Sequence, residues 1–340
     1  MRMMRRRATC RTFTRSAFSA FIPASMQSNT IRKHRPRSQP TPRGKRTTIT
    51  EHDIFGIFEP LSRHAQLTTK QLVAFDRRHA SKTRNRLTDL YHEQGEWLER
   101  LSEDTTFANS LFVDEMYRLG DGARALLEVR GIIPSQPWVL ASRIGGNSST
   151  PSKIIRLAHD HMASEIVLDI EMGARSAPDI RFRNHIEIIA AAPKHTRSLP
   201  HPLRVALPQI PGAPKWIEPD ALFAIGERYY AVEADRGTES IETIIKSKII
   251  AYREIVAACV IDDQFGIDNL RVLFVTTNET RMRNMMEAVV SVAKNGRSRM
   301  FGFTCRPDLA DFTRAPAPTG RMFAEPWERV GYEPLQLGVE

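Results

Sequence analysis

The stretch that most constrains the fold of this chain runs from Trp216 to Tyr252. It contains two short apolar runs, residues 221–225 and 229–232, which are separated by a Gly-Glu-Arg turn. Two such runs joined by a glycine-containing turn predict a β-hairpin. A helical pattern begins after Gly237. We therefore expect two antiparallel strands followed directly by a helix.

Acidic side chains lie at matching ends of the two predicted strands. Asp220 precedes the first strand, while Glu233 and Asp235 end the second. Adjacent strands of a hairpin would bring Asp220 and Glu233 together at one edge of a sheet. Two carboxylates in such a position can share a divalent cation.

The predicted helix carries two lysines, Lys246 and Lys248. Because residues two apart on a helix face different directions, at most one of them is expected to point toward the acids. The acids also have a purely structural interpretation. Glu233, Asp235 and Glu239 would then flank the start of the helix, where carboxylates interact favourably with the helix dipole.

Composition limits the class of protein. The chain has 340 residues, of which 41% are apolar and 26% charged, as in ordinary globular proteins. No apolar run approaches the 18 or more residues that span a membrane. The three cysteines (Cys10, Cys259 and Cys305) are few and far apart, which favours a reducing compartment, the cytoplasm.

The positive charge of the chain is concentrated at its start. Residues 1–50 contain 13 Lys and Arg and no acidic residue, whereas the remaining 290 residues hold 36 of the 49 basic residues and all 39 acids. We interpret residues 1–46 as a disordered basic arm that binds nucleic acid through counterion release. Two alternatives stay open. The segment could be an upstream region translated from a misassigned start codon, with Met26 as the real start, or it could be an organellar transit peptide.

Residues 47–131 follow the plan of a winged helix-turn-helix domain. Helical patterns starting near Thr50, Thr68 and Ala80 precede two short strands and a closing helix. The third helix would be the recognition helix, with polar side chains that reach phosphates and base edges. Its candidate DNA-binding residues are Lys82, Thr83, Arg84, Asn85 and Arg86. A solvated helix face and a winged helix that binds protein are the alternatives.

A Pro-, Gly- and Ser-rich linker, residues 132–155, is expected to precede a second domain, residues 156–310. The apolar pattern of the second domain predicts the order α-β-β-β-α-β-α-β, with a strand over residues 181–190 and a mixed sheet covered by helices. The predicted fold class is therefore α/β (α+β). The C-terminal tail, residues 311–340, is expected to pack loosely.

Pro219-Asp220, followed by a second strand that ends in acidic residues, resembles the signature of PD-(D/E)XK nucleases. The second half departs from that signature, since Asp235 stands where a lysine is expected. In this superfamily the following helix sometimes supplies the lysine, which would be Lys246 or Lys248. Glu165 is a candidate third ligand for Mg²⁺ or Mn²⁺, whereas His159 and its neighbour His161 are interpreted as packing or surface residues.

Three runs resemble the replication-relaxation family: residues 87–95, residues 117–123, and Glu-Ala-Asp-Arg-Gly-Thr-Glu at 233–239. The resemblance covers roughly residues 48–305. It implies a role in plasmid and mobile-element replication and DNA relaxation, on a restriction-endonuclease-like fold. It also implies metal-site roles for Asp220, Glu233 and Asp235.

The resulting hypothesis is a mobile-element protein that binds double-stranded DNA and nicks it with a divalent metal. The alternatives are a non-catalytic replication initiator or accessory protein and a winged-helix transcriptional regulator. Relaxosome or replication proteins and a second copy of the chain are expected partners, and a membrane is not. Tyr229, Tyr230 and Tyr252 lie near the acids and leave a covalent mechanism open, although packing roles are favoured for them.

Overall fold

The computed structural model describes the greater part of the chain after its first 39 residues. The described residues are 40–41, 47–64, 66–76, 78–93, 96–100, 114–135, 151–207 and 214–339. The predicted basic arm, apart from residues 40 and 41, lies outside them, as do residues 136–150 of the predicted linker. They belong to one unit of contacts, Pro36–Glu340.

The first module, within residues 47–135, combines helices with a small antiparallel sheet. Its helices are α1 (Glu51–Asp53, the π-helical turn Ile54–Phe58 and Glu59–Arg63), α2 (Thr69–Phe75), α3 (Ala80–Tyr91) and α4 (Asp121–Val129). Its strands are β1 (Leu67–Thr68), β2 (Leu98–Arg100) and β3 (Met116–Leu119), in the sheet order β1-β3-β2. The assignment of this module as a winged helix that binds DNA stays a prediction.

Local capping explains where the second helix begins. The Thr68 hydroxyl accepts a hydrogen bond from the Gln71 amide at 3.3 Å, and the Gln71 side chain accepts one from the Thr68 amide at 2.8 Å. This reciprocal pair is a capping box, which satisfies two backbone donors at the helix start. Leu72 on α2 and Leu87 on α3 then bury their side chains in the core of the module.

The second module is built on a five-stranded mixed sheet. Its strands are β4 (Phe182–Asn184), β7 (Ala221–Ile225), β8 (Arg228–Asp235), β9 (Arg271–Thr276) and β10 (Phe301–Cys305), in the order β10-β9-β8-β7-β4. Strands β8, β9 and β10 are parallel, whereas β7 is antiparallel to both of its neighbours. The short strands β5 (Val205–Ala206) and β6 (Trp216–Ile217) form a separate antiparallel pair. The mixed α/β fold class predicted from the sequence is confirmed.

Helices cover both faces of this sheet. They are α5 (Pro151–Arg175), α6 (His185–Ala191), α7 (Lys194–Arg197), α8 (the π-helical turn Ile241–Ile245 and Lys246–Ala257), α9 (Val260–Phe265), α10 (Glu279–Val292) and α11 (Arg321–Ala324). Ala231 of β8 packs in the same cluster as Tyr252 of α8. Its neighbour Val232 points to the other face, where it packs in the same cluster as Ile166 of α5. The central strand is therefore buried on both sides.

The strand predicted over residues 181–190 is wrong beyond Asn184. There the chain turns into α6, because the Asn184 side chain accepts hydrogen bonds from the amides of Ile186 and Glu187. The Glu187 carboxylate accepts a bond from the Asn184 amide at 2.9 Å in return. This capping box starts a helix in a run whose alternating apolar residues suggested a strand.

The expectation of a loosely packed tail is also wrong. Trp327 is only 1% exposed, and the Trp327 amide and carbonyl pair with Leu335. The Asp169 carboxylate of α5 accepts hydrogen bonds from the amides of Thr319, Gly320 and Met322 at 2.6–3.0 Å. The tail therefore contributes to the core, although it has no regular apolar period.

Residues 151–155, assigned to the linker from sequence, belong to α5. This long helix also joins the two modules. Its Glu171 is 1% exposed and lies 3.1 Å from the guanidinium of Arg63 on α1 and 2.8 Å from that of Arg175. Leu168 of α5 packs in the core cluster of the first module. The modules are thus held by a shared apolar core and a buried ion pair.

The Glu171→Gln variant is expected to lower the free energy of unfolding by about 1–3 kcal/mol, because it removes one of the two carboxylates that neutralise the buried Arg63 guanidinium. The other, Glu59, stays at 2.9 Å. Chemical denaturation measures this change. The matched control is Glu279→Gln, which removes an exposed partner of Arg283 and should change stability by less than about 0.5 kcal/mol. Equal effects of the two variants would contradict the role given to Glu171.

The contribution of Glu171 should depend on pH. Burial acts to raise the pKa of Glu171, but Arg63, His64 and Arg175 outweigh it and lower the pKa below its ordinary 4.5. Since the folded state lowers this pKa, the stabilisation is present above pH 4.5 and is lost as the pH falls through the lowered value. The stability gap between wild type and Glu171→Gln should shrink in acid, and a constant gap would contradict this.

Candidate active site

The register of the β7–β8 hairpin brings the two predicted acids together. Ala221 pairs with Val232, and the Asp220 amide donates to the Val232 carbonyl at 3.0 Å. The backbone pairing of the two strands ends at Asp220. There the Asp220 carboxylate, rather than a backbone carbonyl, accepts a hydrogen bond from the Ala234 amide at 2.8 Å. Asp220 therefore lies across from Glu233, where opposed Cβ atoms are typically about 4.5–5.5 Å apart. Gly226, at φ 58°, makes the tight turn between the strands.

Glu233 is buried against helix α8. Its exposed fraction is 2%, and its Oε1 accepts a hydrogen bond from the Tyr252 hydroxyl at 2.5 Å. The Lys248 ammonium lies 2.9 Å from its Oε2. Lys248 and Tyr252 are four residues apart, so both project from one face of α8. The Lys248 ammonium also lies 3.0 Å from Glu239, which completes a cluster of one cation and two carboxylates.

Lys246, the other predicted lysine, lies outside this cluster. Its ammonium lies 3.6 Å from Glu242, and the Glu242 side chain is 79% exposed. The helical rotation between Lys246 and Lys248 explains the difference, as residues two apart do not share a face.

Asp235 is engaged elsewhere as well. Its carboxylate accepts hydrogen bonds from the Arg281 guanidinium of α10, at 2.7 Å from Nη2, and from the Thr276 hydroxyl at 2.9 Å. Asp235 shares a strand face with Glu233 but lies one pleat further on, next to α10 rather than α8. The structure therefore places Asp235 against Arg281 and does not bring it to Asp220 and Glu233.

Glu165, predicted as a third ligand, is not brought to the pair. It is 4% exposed on α5, which packs on the sheet face opposite α8. Burial raises the pKa of Glu165 to about 9, so its carboxyl group stays protonated at neutral pH. Among the described residues, His, Cys, Asp and Glu side chains form no group of three or more that could hold a metal ion.

His159 is the residue of α5 that reaches the pair, and sequence reasoning assigned it to packing or the surface. Its Nε2 lies 3.4 Å from Asp220 Oδ2, and its Nδ1 lies 3.7 Å from Asp160 Oδ1. Burial acts to lower the pKa of His159, but the two aspartates outweigh it and raise the pKa to about 10. Its position before the sheet was visible in the sequence, but its orientation depends on how α5 crosses β7.

The two paired acids have opposite pKa shifts. At Asp220, burial favours the neutral form, but hydrogen bonding and charge from His159 outweigh it and lower the pKa. At Glu233, burial and the nearby Asp220 outweigh Lys248 and Tyr252 and raise the pKa to about 7. A divalent cation near both carboxylates would favour their ionised forms. Mg²⁺ is commonly held by one or two carboxylates together with water and phosphate oxygens, so this pair fits such an ion.

A cavity of about 850 Å³ opens next to the acid pair. Asp220 and His159 line it on the side of the sheet, and Arg118 of β3 lines it on the side of the first module. Glu233 does not line it and is buried behind Asp220. Any ligand in the cavity therefore meets Asp220 and His159 first.

The five predicted DNA-binding residues of α3 separate into two groups. Lys82, Arg84 and Asn85 are exposed. Thr83 is fully buried and donates to Asp76 at 2.8 Å, so its predicted exposure is wrong. Arg86 donates to the buried Asp53 from Nε at 2.8 Å and is committed to an internal ion pair. Thr83 lies on the apolar side of the helix, and Arg86 neutralises a carboxylate of α1.

A family model described as replication-relaxation matches residues 58–267. The chain belongs to the replication-relaxation family. The matched range includes α3, α5 and the β7–β8 hairpin with Lys248 and Tyr252. Membership suggests that this replication-relaxation protein has a role in the replication of mobile elements. Comparison with curated proteins and with solved structures found no match.

Within the described ranges of this replication-relaxation protein, no helix is both long enough and apolar enough to cross a bilayer.

The two histidines of α5 should titrate at opposite extremes. His159 is expected to stay protonated throughout the neutral range, with a pKa of about 10, whereas burial lowers the pKa of His161 to about 3. The Asp220→Asn variant should lower the pKa of His159, because it removes one of the two carboxylates that stabilise the imidazolium. NMR of the imidazole nitrogens during a pH titration measures the pKa values of both histidines in the wild type and in the variant.

His161 is the internal control, since Asp220 is not among the groups that shift it. If His159 in the wild type titrates near its ordinary 6.5, the assigned contact with Asp220 is wrong.

Proposed function

We propose that this replication-relaxation protein binds DNA of a mobile element and cleaves one strand of it with the help of Mg²⁺ or Mn²⁺. The observation that carries the proposal is the acid pair, Asp220 and Glu233, on adjacent strands beside a cavity. Lys248 contacts Glu233 from α8, the helix on which the sequence pattern allowed a displaced lysine.

Asp220 and Glu233 are the residues that would hold the cation. Such an ion supplies charge stabilisation at a phosphoryl group and lowers the pKa of a bound water. The protein's own part is to keep both carboxylates in place. The Ala234 amide fixes Asp220, and the Tyr252 hydroxyl fixes one oxygen of Glu233.

Lys248 and His159 add positive charge on either side of the acid pair. The carboxylates of Glu233, Asp220 and Glu239 outweigh the burial of Lys248 and raise its pKa, so its ammonium stays charged. A charged ammonium and imidazolium can stabilise the negative charge that develops on phosphoryl oxygens. Of the two, His159 lines the cavity, where the positive charge of its imidazolium can attract a phosphate.

Binding of duplex DNA is assigned to the first module. Its helix α3 presents Lys82, Arg84 and Asn85 to solvent, and the helices beside a three-stranded antiparallel sheet support the winged-helix assignment. Short basic and polar side chains near the start of such a helix can contact phosphates and base edges. Cys259 and Cys305 are free, which is consistent with a cytoplasmic setting.

A supercoiled-plasmid nicking assay with Mg²⁺ or Mn²⁺ tests the proposed strand cleavage. Asp220→Asn, Glu233→Gln and Lys248→Met should each lower the nicking rate by about 100-fold or more, the scale expected when a group that stabilises charge is removed. Lys246→Met is the matched control and should nick like wild type, because Lys246 pairs with Glu242 away from the acids. Thermal unfolding of each variant separates loss of chemistry from loss of fold.

Two results would reject this proposal. Nicking by Asp220→Asn at the wild-type rate would exclude the site. Absence of nicking by every form, with salt-dependent DNA binding intact, would favour a non-catalytic initiator or accessory protein, or a transcriptional regulator.

The double variant Lys82→Ala/Arg84→Ala should weaken duplex binding. Each lost phosphate contact reduces the magnitude of the slope of log K against log salt by about 0.9. The slope of the double variant should therefore be smaller than that of the wild type by about 1.8. Fluorescence anisotropy over a salt series measures it. The control is Arg283→Ala/Arg314→Ala, which removes equal charge from exposed positions of the second module. Equal slopes for the two double variants would reject α3 as the DNA-contacting helix.

A further inference from the structure

An exposed tryptophan stands at the border of the cavity. Trp216 is 49% exposed, although tryptophan has one of the largest apolar side chains. It lies on β6 and lines the same cavity as Asp220. An exposed indole at the edge of a polar cavity provides a flat surface on which another flat group can stack.

The indole is held in a fixed orientation by its neighbours. The guanidinium of Arg204 lies 4.3 Å from the ring centroid, and Arg204 in turn donates to Glu218 at 3.0 and 3.1 Å. Strand β6 is paired with β5, so the backbone beneath the ring is also fixed. One ring face is thus covered by an arginine, which leaves the remainder of the exposed indole for a ligand.

Across the cavity, the first module contributes Arg118, a described arginine with two unpaired donor atoms. In the described part of the chain, the Nε and Nη2 atoms of Arg118 are buried and form no hydrogen bond. Glu99 and Asp160 act on Arg118 only through their charge. Buried guanidinium donors without acceptors are costly, and a phosphate offers the acceptors that this fork matches.

The dimensions of the cavity restrict the ligand. A volume of about 850 Å³ is within the range of pockets for small molecules, about 300–1,000 Å³. A few unpaired nucleotides fit into such a volume, whereas a base-paired duplex does not. Stacking on an indole also requires a base whose face is free, and in a duplex the bases stack on one another.

We propose that this cavity binds an unpaired DNA strand, with one base stacked on Trp216 and one phosphate held by Arg118. Because Asp220 and His159 line the same cavity, the bound strand passes directly beside the acid pair. The substrate of the second module is then a single strand, while the exposed face of α3 contacts the duplex.

This inference deepens the proposed strand cleavage, but its test does not depend on catalysis. Binding is measured in the presence of a chelator, by fluorescence anisotropy of a labelled oligo-thymidine of about twelve nucleotides. A duplex of the same length is measured in parallel. Nicking can fail while this binding stands, and the reverse can also occur, so the two proposals are tested separately.

Trp216→Ala should weaken single-strand binding by about 5-fold to 150-fold, the range for loss of one stacked base, and Trp216→Phe should recover most of it. Arg118→Ala should also weaken binding and reduce the salt slope by about 0.7, the value for one phosphate contact on a single strand. Duplex affinity should be unchanged in all three variants.

The matched control is Tyr332→Ala. Tyr332 also has arginines stacked on its ring, Arg297 at 4.5 Å and Arg299 at 4.7 Å, but it does not line the cavity. Equal single-strand affinities of Trp216→Ala and Tyr332→Ala would overturn the proposal. Equal losses of single-strand and duplex affinity in Trp216→Ala would overturn the selectivity for an unpaired strand.

Discussion

The second module depends on the burial of a carboxyl group in the middle of its sheet. Glu233 is on β8, the central strand of the five, and an uncompensated charge there would be costly. Lys248 and Tyr252 compensate it from α8, and this fixes both the rotation of that helix and its distance from the sheet. The same contacts that compensate the burial of this carboxyl group also hold it beside Asp220.

The two modules meet on both sides of α5. Its C-terminal half carries Glu171, which pairs with Arg63 of the first module, and its N-terminal half carries His159, which reaches the acid pair. One rigid helix thereby connects the module assigned to duplex DNA with the residues assigned to chemistry. The cavity lies between these contacts, so its walls come from both modules.

Local patterns predicted the hairpin and α3, because apolar period and turn residues determine these elements. They did not predict α6, where a side-chain cap at Asn184 outweighs the alternating pattern. The acid pair followed from hairpin register alone. The pairing of Asp235 with Arg281, and of Arg86 with Asp53, depends on residues distant in sequence, which a single sequence does not reveal.

The Asp169 carboxylate accepts hydrogen bonds from three backbone amides of the segment that begins with Thr319, about 150 residues later in the chain. During synthesis this buried acceptor has no donors until that segment has left the ribosome. The sheet can form earlier, since its strands end at Cys305. Docking of the tail on α5 therefore cannot precede synthesis of this segment, and a nascent chain would expose the apolar surface of that helix until then.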